Sequence, residues 1–87
     1  MKAFTPAELD IVRMERANID AEIERTSNNL NAYVEPYKNN NGLIVDSIWL
    51  HDKECQRLKR SYHLAASIGR AFNAAHRAEL KEIHRMK

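Results

Sequence analysis

From Leu9 onward, apolar side chains recur at alternating steps of three and four: Leu9, Val12, Ile19, Ile23, Leu30, Tyr33 and Tyr37. That period lays them along one stripe of a helix and argues against a strand, where faces alternate every second residue. Arg16 and Thr26 fall in the same register and interrupt it. A second series follows in Ile44, Ile48, His51, Cys55, Leu58, Tyr62, Ala65, Gly69, Phe72 and His76. Between the two lies "PYKNNNG", residues 36–42. Pro36 disfavours helical geometry in Glu35, and Asn41-Gly42 suits positive φ. Two amphipathic segments flanking one connection predict an antiparallel αα-hairpin.

The first segment has a well-marked start in "FTPAEL", residues 4–9. Thr5 suits the N-cap, Glu8 completes a capping box, and Pro6 occupies the first helical position. Phe4 and Leu9 sit where a hydrophobic staple forms. Helix 1 is therefore expected over about 5–35, with its Asn-rich "SNNLNAY" end prone to fray. After a connection at 36–45, helix 2 is expected over about 46–86 as one rod, making residues 1–87 a single helical domain. The stretch "GLIVDSIW" could open as a short strand, but no second strand is visible to pair with it. The alternative architecture is a three-helix bundle with a break near Gly69, where a mid-helix glycine costs about 1 kcal/mol relative to alanine.

Folded back on each other, the two seams lock with one offset. Leu9 is then expected to meet Phe72, Val12 to meet Gly69, and Ile19 to meet Tyr62. Likewise Ile23 should meet Leu58, Thr26 should meet Cys55, and Leu30 should meet His51. In this register residues 77–87 overhang helix 1 by about 15 Å.

Composition agrees with an all-α class: the 87 residues include only two Gly and two Pro. One cysteine, Cys55, permits no intrachain disulfide, which suits a reducing cytoplasm. No signal peptide and no membrane-spanning apolar run is visible, so no membrane role is expected. The net charge of +2 conceals an asymmetry. Residues 1–35 hold four Lys/Arg against seven Asp/Glu, whereas residues 36–87 hold ten against five. Such halves suit packing on each other, or an anionic partner for the second half.

A hairpin leaves a second apolar stripe uncovered. It comprises Ile11 and Met14 on helix 1, with Leu64, Ile68, Ala71 and Ala75 on helix 2. Exposed apolar stripes mark interfaces, and symmetric dimers dominate soluble oligomers. These six residues are the expected interface of a homodimeric four-helix bundle. A second feature is a basic stripe of Lys53, Arg57, Arg60, Arg70, Arg77 and Lys81, accompanied by His63 and His84. Trp49 begins that face and is the expected hot spot, Trp being enriched where interface energy concentrates. A solvated outer face is the bland account of the same stripe.

Catalytic and metal chemistry find little support. His51 and Cys55 lie one helical turn apart, but no third or fourth ligand stands nearby, and both fall on the seam. No phosphate-binding glycine loop, zinc finger or helix-turn-helix spacing is present. The expected function is that of a non-enzymatic protein–protein interaction module without cofactor. Compact helical proteins of this kind suit adaptor or steric-inhibitor roles, including those of phage or mobile elements. The alternative function is a nucleic-acid-binding regulator using the basic stripe.

Overall fold

A computed structural model describes residues 4–86 of the chain. Helix α1 spans Pro6–Val34, α2 is a single turn at Asp46–Trp49, α3 spans Lys53–Ala75 and α4 spans Arg77–Arg85. A 3₁₀ turn, Glu35–Tyr37, closes α1. The molecule is a rod of 54 × 22 × 17 Å, with α1 packed along α3 and α4. The all-α class and the pairing of two long antiparallel arms stand as the sequence implies.

The N-terminus of α1 forms as its residues dictate. Thr5 Oγ1 accepts the Glu8 N–H at 3.1 Å, and Pro6 opens the helix. Instead of reaching the Thr5 backbone, the Glu8 carboxylate accepts the Thr5 hydroxyl at 3.1 Å. At the other end the Asn-rich segment stays helical to Val34. Leu30 and Val34 are buried there with Cys55, and Tyr33, Ile44, Ile48, Trp49 and Leu58 pack around them. Burial of this cluster outweighs the poor helix propensity of asparagine.

The connection is a built loop. Asn39 Oδ1 accepts the N–H groups of Asn41 and Leu43, and Gly42 takes a φ of 77°. Ile44 does find a partner for its extended backbone: the loop's own Lys38, in an isolated antiparallel bridge.

The second arm is not one rod over 46–86. It breaks first at 50–52, where Asp52 turns extended and caps α3 by accepting the Cys55 N–H at 3.0 Å. The Tyr33 hydroxyl donates to the same carboxylate at 2.6 Å, tying α1 to the start of α3. Aspartate favours a cap over a helix interior because its short side chain competes for nearby backbone donors. Within this break His51, expected on the seam, is exposed. The second break is at His76 and not at Gly69. The His76 ring lies on Phe72 with centroids 4.5 Å apart, and its Nδ1 is 2.6 Å from Glu79 Oε2.

Gly69 remains helical and buried because α1 needs its missing side chain. A Cβ at this position would stand 2.9 Å from Ile23 Cδ1 and 3.5 Å from Ile19 Cγ2. Ile23 therefore meets Gly69 instead of Leu58, and Leu30 meets Cys55 instead of His51. The arms are slid from the expected register, by four residues at Leu30 and by eleven at Ile23. The slide also removes the expected overhang: Ile83 and Met86 border a cavity of about 180 Å³ with Pro6 and Leu9.

The Tyr33–Asp52 contact makes a testable link. The Tyr33 hydroxyl, and then the Cys55 amide, hold the Asp52 carboxyl below its ordinary value. The same bond pushes Tyr33 up to about 12. The Asp52 contribution is present above the ordinary carboxylate pKa of about 3.9 and is lost as pH falls through the lowered folded value. The Tyr33 contribution is present below the ordinary tyrosine pKa of about 10 and is lost as pH rises to about 12. In urea titrations Tyr33→Phe should lack part of the alkaline loss seen in the native chain. Asp52→Ala, which removes cap and acceptor together, should lower Tm by several degrees. An unchanged Tm would show that the contact contributes nothing.

Candidate interaction surfaces

Two surfaces stand out on the rod, one apolar and one cationic. The apolar surface is built by the sides of α1 and α3 that flank the seam. Ile11 is 59 % exposed, Met14 66 %, Leu64 64 % and Ile68 50 %. Ala71 and Ala75 are exposed beside them. Ile11, Asn18 and Glu22 share one side of α1 by their helical spacing. Asn18, Ile19 and Glu22 line a groove of about 240 Å³ with Ala65 and Ile68, so this side of α1 continues onto α3. Arg16 lines a second, open groove with Asn73 and Ala74 of α3. All six expected interface residues are exposed: Leu64, Ile68, Ala71 and Ala75 make an apolar band along α3, with Ile11 and Met14 on α1.

The basic stripe divides. Near the connection, Lys53 and Arg60 are exposed, while Arg57 is paired with Glu54 through two nitrogens. That pairing lowers the Glu54 carboxyl below its usual range. At the other end Arg70, Arg77, Lys81 and His84 come together around an open groove of about 680 Å³. Helix α1 contributes Arg16 to the same groove, a residue that the apolar pattern marks only as an interruption. Its seam position and the slide of the arms bring it there, and no sequence spacing relates it to the other four.

Trp49 is half-buried against the Leu30–Val34–Cys55 cluster and does not offer an open ring. Lys59 Nζ sits 4.1 Å above the ring and also donates to the Trp49 carbonyl at 2.9 Å. Gln56 donates to that carbonyl at 2.7 Å. These bonds anchor α2 to α3. The sequence signal for Lys59 was its position ten residues after Trp49, within reach once α2 folds back.

Cys55 is fully buried, and burial pushes its thiol up, which keeps it protonated and a poor nucleophile. Among the described residues no group of three or more His, Cys, Asp or Glu could hold a metal ion. No helix among them is long and apolar enough to cross a membrane. No family model, curated protein or solved structure matches the chain.

Proposed function

We propose that this protein is a small non-enzymatic protein–protein interaction module, an adaptor or steric inhibitor. In this reading it self-associates through the apolar band into a four-helix bundle and engages a protein target with its cationic side. One observation carries the reading. A chain with few buried side chains leaves Ile11, Met14, Leu64 and Ile68 at least half exposed on neighbouring helices. Exposed apolar side chains in this number are costly in water and favour cover by a partner. The alanines beside them, Ala71 and Ala75, allow a second helix to approach closely. A cytoplasmic setting suits the single thiol.

Light scattering tests the self-association. The native chain should have the mass of two copies at micromolar concentration. Leu64→Asp combined with Ile68→Asp should have the mass of one, with helix content retained by circular dichroism. A native mass of one chain across that concentration range would exclude the homodimer.

A further inference from the structure

The groove at the α3–α4 junction has a composition that points to a specific class of partner. We infer that it binds an acidic, amphipathic helical segment of the target protein. This deepens the reading of the protein as an interaction module and rests on it. Arg70, Arg77, Lys81 and His84 form one wall, Arg16 of α1 stands on the other, and no carboxylate lines the space. Arg16 lies 3.8 Å from Asp20, a loose contact on an exposed surface, while Arg70, Arg77 and Lys81 enter no ion pair among the described residues. Three cationic positions, Arg70, Arg77 and Lys81, are stepped by seven and four residues across the junction of α3 and α4. A partner helix carrying carboxylates at similar steps presents the matching row.

The apolar part of the lining selects further. Leu80 is half-buried in the groove, and Ala74 beside it is small enough to let a helix backbone approach. Apolar floor with cationic rim is the arrangement that receives the apolar face of a helix while pairing its acidic flanks. A nucleic acid would use only part of this surface. Among the lining residues there is no Phe, Tyr or Trp on which a base could stack. Phosphate contacts alone would leave Leu80 uncovered and carry no sequence readout.

The test uses the full chain and a fluorescent synthetic helix with leucines on one face and glutamates flanking them. An otherwise identical peptide with glutamine for glutamate is the control, and single-stranded and duplex oligonucleotides are competitors. The acidic peptide should bind about tenfold more tightly than its glutamine control, with affinity falling as salt rises. Arg70→Glu with Arg77→Glu should lose at least about tenfold, and Arg16→Gln, on the opposite wall, about threefold. Lys53→Glu with Arg60→Glu, outside the groove, should change affinity less than about twofold. Equal binding of the glutamine control, or full affinity in the Arg70/Arg77 variant, would overturn the inference. So would an oligonucleotide binding more tightly than the peptide. Light scattering on the same samples separates the two proposals. Lost peptide binding at a two-chain mass sinks the groove alone, and a one-chain mass sinks only the apolar-band dimer.

Discussion

Gly69→Leu is expected to destabilise the chain by about 3 kcal/mol, enough to leave much of it unfolded at moderate urea. The Ile23 Cδ1 atom already stands where a Cβ at residue 69 would need room, and Ile19 Cγ2 closes the other side. A leucine would have to displace both. Ile19 has little freedom to yield, because its branched Cβ holds one preferred χ1 rotamer in a helix. Gly69→Ala tests the same contact more finely. Alanine gains about 1 kcal/mol of helix propensity, and the rotation of Ile23 away from a single methyl costs about the same. Near-neutral alanine beside a damaging leucine is therefore the expected pair of results by urea unfolding. Gly69→Leu within about 0.5 kcal/mol of the native chain would show that α1 and α3 do not meet here.

Leu30→Ala should be the costliest simple truncation, at about 3 kcal/mol. Leu30 is buried with Val34 and Cys55 in the cluster that joins α1, the connection and the start of α3. A chain of 87 residues has on the order of 4–13 kcal/mol of stability in total, so the loss is a large share. Leu64→Ala provides the contrast. In the single hairpin Leu64 is largely exposed, and its truncation should change stability by less than about 0.5 kcal/mol. Under the proposed self-association the cost of Leu64→Ala should grow with protein concentration, because association stabilises the folded state by mass action. The cost of the Leu30 change should exceed that of Leu64 at low concentration. Equal costs in dilute solution would mean that the cluster around Leu30 is not the centre of the fold.

Much of the site could be read from spacing, and its geometry could not. Ile11, Met14, Leu64 and Ile68 are exposed as their position off the seam implies. The basic stripe, by contrast, was legible only as a row along one helix. The pairing of Arg57 with Glu54 is local, three residues apart on α3, but the arrival of Arg16 beside Arg70 and Arg77 depends on neighbours distant in sequence. Trp49 is similar: its residue type suggests a hot spot, while its contacts with Lys59 and the core cluster follow from the fold-back of α2.

Sequence alone determined the all-α class, the start of α1 at Thr5–Pro6, the position of the connection and the faces the two arms turn toward each other. Local capping and a period of three to four residues are sufficient for these. Tertiary structure decided the axial register, the breaks at 50–52 and His76, and the cationic groove. The reason lies in the periodicity itself. Sliding one helix along another by whole steps of three or four residues returns nearly the same faces to contact, so the apolar pattern cannot distinguish the alignments. The choice falls to contacts that occur once: the space at Gly69 for Ile23 and the bond from Tyr33 to the Asp52 cap.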